Sequence, residues 1–176
     1  MKGQILSKLS NWGHFFRIEF DITVHALPSG EWSNVLHFTQ SENGAEYGDR
    51  IPAIFVYNQG FFHICSAVSG DKNHCINFNF TLNVKYHLVI RQFENHDQKV
   101  IYEIEVNNEV VHSIPNEQSR DFPLVMIYAS DPWYGSFISD YGVVEKLRTS
   151  SSGVYICIFL THQKFKHVVL HQNNIC

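Results

Sequence analysis

The sequence predicts an all-β protein whose antiparallel strands pack into a sandwich or barrel. Its apolar residues recur mainly with a period of two, as in strands with one buried and one solvated side. Aromatic residues, which favour strands, make up 14% of the chain. Turn segments containing Gly, Asn, Asp or Pro separate the apolar runs, and no run of any length has the period of an amphipathic helix.

The first and longest alternating run spans residues 14–27, HFFRIEFDITVHAL. Every second position from Phe16 to Val24 is apolar, and the residues between them are polar. This run predicts a half-buried strand with one solvated side, and residues 28–30 (PSG) end it. Nine further β-rich runs follow in order: SNVLHFT, RIPAIFVY, FFHICSAV, HCINFNFTL, YHLVIRQFE, KVIYEIEVN, EVVHSIPN, PLVMIYA and GVVEKL.

Two of the turns between these runs have a specific chemistry. Asn107 and Asn108 lie between alternating runs, as in a tight hairpin whose two central residues need a positive φ. Asn58 and Gly60 lie in the same way between two apolar runs. Short strands joined by such turns at roughly regular spacing predict an antiparallel architecture.

The chain divides into one domain and a C-terminal segment. Its 176 residues suffice for one domain with a substantial core and are few for two. Residues 4–148 carry the strand and turn pattern. Residues 149–176 lack clear alternation, so they form either an extra strand or helix on the sandwich or a tail foreign to the domain. The second interpretation is favoured because residues 4–148 already form a complete pattern.

Composition excludes some classes of partner. The net charge is −4 and no Lys/Arg cluster occurs, which argues against nucleic acid as a partner. The longest apolar run, GVYICIFL, is too short to span a bilayer. The eleven scattered histidines predict a change of charge near pH 6 rather than a metal centre.

Two features indicate an oxidising, extracellular compartment. Cys65 and Cys75 flank the hairpin segment SAVSGDKNH, so they can approach disulfide distance across neighbouring strands. The alternative is two reduced, half-buried thiols. Asn79 begins an Asn-Phe-Thr glycosylation acceptor sequence. The N-terminal residues MKGQILSKLSNWG contain no apolar signal-peptide region, which stands against a secreted location.

Four segments, taken in order, carry a resemblance to a known family: FFRIEFDITV, EWSNVLHFT, YHLVIRQFENHDQKVIYEIEVNNEVVHSI and LVMIYASDPWYGSFISDYGVVEKL. They resemble the opening strand, second strand, central meander and closing segment of concanavalin A-like jelly-roll domains, particularly laminin-G-like and pentraxin-like modules. Tyr86-His87 stands where that family usually has Trp-His, and Asn107-Asn108 where it usually has Asp-Gly. The resemblance covers residues 4–148 and implies an antiparallel jelly-roll β-sandwich. SNVLHFT, GDRIPAIF, HICSAVSG and YASDPWY also look like segments of cnidarian extracellular and skeletal-matrix domains.

Glucanases of this fold suggest a catalytic alternative. They use clustered carboxylates on one strand, in a pattern similar to E-x-D-x-x-E. Here Glu19 with Asp21, and Glu103 with Glu105, form pairs that project to one side of a strand. Neither run has the third carboxylate, and Glu19 and Asp21 occupy the side predicted to face solvent. The sequence therefore predicts no catalytic residue.

A recognition site is predicted in the loop SDPWYGS, residues 130–136. Asp131 offers an anionic acceptor for sugar hydroxyls or Ca²⁺, and Trp133 and Tyr134 offer flat faces for stacking on a pyranose ring. The alternative is that Trp133 folds back on the sandwich edge while Asp131 caps the turn.

The segment HFTQSENGAEYGDR, residues 37–50, is the second candidate region. Asp49 and Arg50 are interpreted mainly as a structural pair, in which Asp49 accepts backbone amides or pairs with Arg50 to pin the loop. The alternative places both residues with His37 on a polar rim that faces a glycan or an acidic partner. The loop is also rich in oxygen ligands that suit Ca²⁺: Glu42, Asn43 and Glu46.

Together these observations predict a non-catalytic, lectin-like, secreted module that binds glycans or matrix proteins through rim loops. No cofactor is predicted, and Ca²⁺ binding is the alternative. The alternatives are a structural or matrix-assembly domain without a small-ligand site and, third, a glucanase-like glycoside hydrolase.

Overall fold

A computed structural model describes residues 2–137, 141–151, 154–161 and 164–171, with side chains for residues 2–137 and 141–151. All regular secondary structure in these ranges is β-strand. The strands are β1 (Ile5–Trp12), β2 (Phe16–Val24), β3 (Trp32–Thr39), β4 (Ala53–Tyr57), β5 (Phe61–Val68), β6 (Asp71–Asn79), β7 (Lys85–Glu94), β8 (Val100–Val106), β9 (Glu109–Pro115), β10 (Phe122–Tyr128), β11 (Gly135–Ser136), β12 (Gly142–Ser151), β13 (Val154–Thr161) and β14 (Lys164–His171).

The strands form two sheets. The first sheet has the order β1-β10-β3-β4-β5-β6, with the short β11 pairing beside β3. The second sheet has the order β14-β13-β12-β2-β7-β8-β9. Every pair is antiparallel except β11 with β3, which is parallel. The predicted all-β antiparallel sandwich is confirmed.

The core lies between the sheets and follows the predicted alternation. Ile18, Phe20 and Ile22 of β2 are fully buried, and they pack with inward-facing residues of the first sheet such as Phe38 and Ile54. Burying a side chain of this size stabilises the fold by about 1.5–3 kcal/mol relative to exposure. The period of two in the sequence therefore reports which side of each strand is removed from water.

The second sheet continues beyond residue 148. Strand β12 extends to Ser151, whose hydroxyl accepts a hydrogen bond from the Gly13 amide at 2.7 Å. The backbone of β13 pairs with β12, and that of β14 pairs with β13. The domain boundary at residue 148 stays a prediction. No helix among the described residues is long and apolar enough to cross a membrane.

The two predicted turns differ in outcome. Asn107 and Asn108 have φ values of 53° and 66°, which confirms the hairpin with two left-handed residues. At the other turn Gly60 has a φ of 90°, whereas Asn58 is not among the residues with positive φ. There the prediction was wrong for Asn58, whose amide instead donates to the carbonyl of Glu31.

The Asn107–Asn108 hairpin gives a test of the backbone conformation. Asn108→Val should lower the free energy of unfolding by about 1–2 kcal/mol, because a β-branched residue is strained at positive φ. Asn108→Gly should leave stability within a few tenths of a kcal/mol, because glycine adopts this region freely. Urea denaturation measures both variants, and equal stability of the two would contradict the described turn.

Candidate functional site

The loop between β3 and β4 is organised by Asp49. Its buried carboxylate accepts hydrogen bonds from the Ser41 hydroxyl (2.7 Å) and from the amides of Glu42 (3.2 Å), Ala45 (2.8 Å) and Glu46 (2.9 Å). Burial alone would raise the pKa of Asp49, but these hydrogen bonds outweigh it and hold that pKa below its usual value. Of the two structural roles predicted for Asp49, acceptance of backbone amides is the one observed.

Arg50 ties the same loop to the first sheet. Its guanidinium donates to the side-chain oxygens of Asn43 (3.1 and 3.0 Å) and Asn73 (2.7 Å). It also lies 5.2 Å from the centre of the Phe55 ring and within hydrogen-bond range of Cys65 Sγ. Arg50 as a whole is buried. Arg50 therefore fixes the loop against β4, β5 and β6.

His37 connects this loop to the one that contains Asp131. Both side chains are fully buried. His37 Nδ1 lies 2.9 Å from Asp131 Oδ2, and His37 Nε2 lies 2.6 Å from the carbonyl oxygen of Asp49. Both ring nitrogens face oxygen atoms that can accept hydrogen bonds. The pair is thus a buried histidine–carboxylate bridge between two loops.

Asp131 also shapes its own loop. Its second carboxylate oxygen accepts the amides of Trp133 (3.1 Å) and Tyr134 (2.8 Å), as a turn-capping residue does. The Trp133 ring is 37% exposed and packs 5.5 Å from His37 and 6.2 Å from Tyr128. Trp133 is thus partly packed and partly displayed.

An aromatic surface that the sequence analysis missed covers the outer side of β3, β4 and β5. Trp32 lies at its centre, with ring centroids 4.3 Å from Tyr57, 4.8 Å from His63 and 6.2 Å from Phe61. These four rings are half-buried and face away from the core. We define the aromatic face as the following six residues: Trp32, Phe55, Tyr57, Phe61, His63 and Tyr134.

The aromatic face joins the predicted loops through Tyr134. The Tyr134 ring stands edge-on to Phe55 at 5.0 Å, and its hydroxyl accepts a hydrogen bond from Asn43 Nδ2 at 3.1 Å. The structure therefore brings together all six predicted binding residues, which are His37, Asp49, Arg50, Asp131, Trp133 and Tyr134. His37, Asp49, Arg50 and Asp131 lie beneath the surface with their polar atoms engaged, whereas Trp133 and Tyr134 reach it. Direct ligand contact by any of the six stays a prediction.

The sequence contained a signal for this surface. The runs AIFVY and FFHIC of β4 and β5 carry apolar or aromatic residues at both even and odd positions, which is typical of strands covered on both sides. Here the inner side meets the core, while the outer side carries the buried Phe55 and the half-exposed rings of Tyr57, Phe61 and His63. An alternation of aromatic with aliphatic residues along a strand therefore indicates an outer aromatic surface of this kind.

Polar groups border the aromatic face on β6. His63 Nδ1 lies 2.6 Å from the side-chain oxygen of Asn77, which accepts its proton. Burial lowers the pKa of His63 and the charge of Arg50 adds to this effect, although the bond to Asn77 acts in the opposite direction. His63 is therefore neutral at pH 7. Asn77 and Asn73 are both exposed on β6.

The predicted disulfide between Cys65 and Cys75 is confirmed, and it joins β5 to β6 at the border of the aromatic face. His63, Cys65 and Cys75 also form the one group of three metal-ligating side chains found among the described residues, with ligand atoms within 4.8 Å of one another. The two sulfurs are bonded to each other, so this group does not fit a metal in its oxidised form.

The Ca²⁺ candidates of the oxygen-rich loop differ in exposure and in hydrogen bonding. The side-chain oxygen of Asn43 accepts from Arg50, a cation that competes with any metal ion. Glu42 and Glu46 are exposed, and their amides donate to Asp49. Binding of Ca²⁺ by these residues stays a prediction. Asn79 is exposed at the end of β6, opposite Phe61 in the register, and its glycosylation likewise stays a prediction.

The four carboxylates of the glucanase alternative lie on the outer side of the other sheet. Glu103 and Glu105 pair with Arg91 at 2.5 and 2.7 Å. Asp21 pairs with His87 and Lys146, and Glu19 pairs with Arg17. Burial alone would raise the pKa of Asp21, but His87 and Lys146 outweigh it and lower that pKa. A general acid needs a raised pKa, so Asp21 does not suit that role.

Asp49 gives a test of pH dependence. Because its folded pKa lies below its unfolded value, its contribution to stability is complete above about pH 4 and disappears as the pH falls through the folded pKa. Asp49→Asn should lower the free energy of unfolding at pH 7 by about 1–3 kcal/mol, since the carboxylate accepts several backbone amides. Urea denaturation between pH 7 and pH 3 should show this difference shrinking. The exposed Asp97→Asn is the matched control, and a pH-independent difference would contradict the assigned role.

The His37–Asp131 bridge gives a second test. His37→Leu should lower the free energy of unfolding by about 3–5 kcal/mol, because it leaves the Asp131 carboxylate buried without its partner. Adding Asp131→Asn should recover part of this loss, since the amide is neutral and retains one oxygen for the Trp133 and Tyr134 amides. A double-mutant cycle by urea denaturation measures the coupling. Additive effects would show that the two side chains do not interact.

Comparison with known proteins identifies solved structures of the same fold. No protein-family model matches the chain, and no curated protein matches its sequence. A native heptameric SAP-like pentraxin from Limulus polyphemus is similar with a TM-score of 0.53 at 9% identity, over 82% of this chain and 67% of that one. The receptor binding domain of botulinum neurotoxin D is similar with a TM-score of 0.53 at 12% identity, over 93% of this chain and 38% of that one. This chain thus spans little more than a third of the toxin fragment. The similarities confirm a jelly-roll β-sandwich.

Proposed function

We propose that this protein is a non-catalytic recognition module that binds glycans on the outer side of its first sheet. The observation that supports the proposal is the aromatic face, where half-exposed rings centre on Trp32. Sugar rings present apolar C–H surfaces that pack on flat aromatic side chains, while their hydroxyls need hydrogen-bond partners close by. The aromatic face offers both kinds of group within a single surface.

The polar partners for such a ligand lie at the border of the rings. The exposed side chains of Asn73 and Asn77 each accept a hydrogen bond through their oxygen, from Arg50 and His63 respectively. Their amide nitrogens have no partner within the part of the chain that the structure describes. They are therefore available as donors to sugar hydroxyls, Asn77 beside His63 and Asn73 beside Arg50.

The surface is held in place before a ligand arrives. Asp49 and Arg50 fix the β3–β4 loop, the His37–Asp131 bridge fixes the loop with Trp133 and Tyr134, and the Cys65–Cys75 disulfide joins β5 to β6. A rigid surface loses little conformational entropy on binding. The buried predicted residues thus support the site, and Trp133 and Tyr134 extend it towards the rim.

The comparisons support a binding role rather than a catalytic one. The toxin neighbour is itself a receptor binding domain, and the pentraxin shares the same sandwich. The disulfide supports an oxidising, extracellular location, as does the acceptor sequence at Asn79. The laminin-G-like and cnidarian matrix resemblances supply the alternative partner, which is a matrix protein docking on the same aromatic face.

A glycan array with the purified protein, with and without Ca²⁺, tests this function. Trp32→Ala should weaken binding to any glycan hit at least tenfold, because it removes the central stacking surface. Phe15→Ala, which removes an exposed ring elsewhere, should leave binding unchanged. Trp133→Ala tests whether the rim loop or the sheet carries the site. A loss of binding equal to that of Trp32→Ala would place the centre of the site at the rim.

The outcomes of the same experiment separate the alternatives. Sugar-competed binding that depends on Trp32 supports glycan recognition. Binding to a matrix protein that depends on Trp32 but is not competed by sugars would show that the aromatic face docks a protein and not a glycan. Hydrolysis of a β-glucan that is lost in Glu19→Gln would overturn the non-catalytic assignment.

A further inference from the structure

The two sheets meet at a histidine pair on one open side of the sandwich. Strands β6 and β9 are the edge strands of the first and second sheets on this side. His74 of β6 and His112 of β9 approach each other across the gap, with their Nε2 atoms 3.0 Å apart. The ring centroids are 5.0 Å apart and the ring planes are inclined by 30°. The two Nε2 atoms are thus within hydrogen-bond distance of each other.

The position of this pair is fixed by the strand registers. His112 lies opposite Ile104 and two residues before Ile114, on the core-facing side of β9, and its ring is 6.2 Å from the buried Tyr102. His74 lies two residues before Ile76, which packs against the core. Both imidazoles are half-buried. They therefore close the core at its edge while their nitrogens remain within reach of solvent.

We propose that His74 and His112 bind one divalent transition-metal ion through their Nε2 atoms and so connect the two sheets. Metal–imidazole bonds are about 2.0–2.1 Å long, so two nitrogens 3.0 Å apart subtend about 90° at a shared ion. That angle suits tetragonal Cu²⁺ or Ni²⁺, and a slight opening of the pair suits tetrahedral Zn²⁺. Neutral imidazole is a ligand for all three ions, whereas Ca²⁺ and Mg²⁺ prefer oxygen.

The tautomers of the two histidines allow a metal ion to replace the proton between them. In the metal-free protein one Nε2 carries a proton and donates it to the other, which accounts for the short distance. Metal binding requires both Nε2 lone pairs, so the bridging proton moves to an Nδ1 atom. Neither Nδ1 has a partner in the part of the chain that the structure describes, so both can carry a proton. Water completes the coordination of the ion.

A metal ion at this point would add a cross-link between two edge strands that belong to different sheets. Because it binds the folded state and not the unfolded chain, it should stabilise the protein by an amount that rises with the logarithm of its concentration above the Kd. At a concentration about one hundred times the Kd, the melting temperature of a chain of this length should rise by about 5–10 °C.

Titration of the tag-free protein with Ni²⁺ and Zn²⁺ at pH 7.5, followed by calorimetry and thermal unfolding, tests the proposal. His74→Gln and His112→Gln should each lower the affinity at least tenfold and remove the rise in melting temperature. His96→Gln is the matched control, because this exposed histidine lies in the turn between β7 and β8. Affinities within twofold of the wild type in either pair variant would overturn the proposal.

A measurement on the wild-type protein tests the site without relying on variants that could fail to fold. Substoichiometric Cu²⁺ should broaden the imidazole NMR signals of His74 and His112 before those of the other nine histidines. Broadening that begins elsewhere would overturn the proposal. This site is independent of the aromatic face, so glycan binding should be the same in His112→Gln as in the wild type.

Discussion

The buried imidazole of His37 is the contact on which the candidate surface depends. One of its nitrogens reaches the Asp49 carbonyl in the β3–β4 loop, and the other reaches the Asp131 carboxylate in the loop before β11. Asp49 in turn accepts the amides of its own loop, and Asp131 accepts those of Trp133 and Tyr134. Charged and polar groups buried without such partners are costly, so the two loops are ordered together.

These contacts distinguish the residues that support the surface from those that form it. The polar side chains that sequence reasoning marked as ligand contacts are hydrogen-bonded within the protein below the surface. The rings that form the surface come mostly from strands, where each is locked by neighbours on both sides. A site built on strands and fixed by buried bridges keeps its geometry better than one carried by free loops.

The sequence predicted most of the architecture because alternation directly reports which side of a strand is buried. It missed β1, where Leu6, Leu9 and Trp12 are buried at a spacing of three and the pairing with β10 contains an irregularity near Ile5. It also predicted the disulfide, since a hairpin places Cys65 opposite Cys75.

The candidate surface was harder to predict, because it depends on contacts between strands that are distant in the sequence. Trp32 meets Tyr57 only through the pairing of β3 with β4. Likewise, the two carboxylate pairs come to one side of the second sheet because β7 lies between β2 and β8. That intervening strand supplies Arg91 and His87 as partners, whereas Arg17 comes from β2 and Lys146 from β12.

The register of β5 with β6 also bears on how the protein is produced. Asn79 lies directly opposite Phe61, at the border of the ring cluster. An oligosaccharide attached there by a eukaryotic host would cover part of the aromatic face, whereas protein from a bacterial host would leave it uncovered. Preparations from the two kinds of host would therefore differ in accessible stacking area, although their polypeptides are identical.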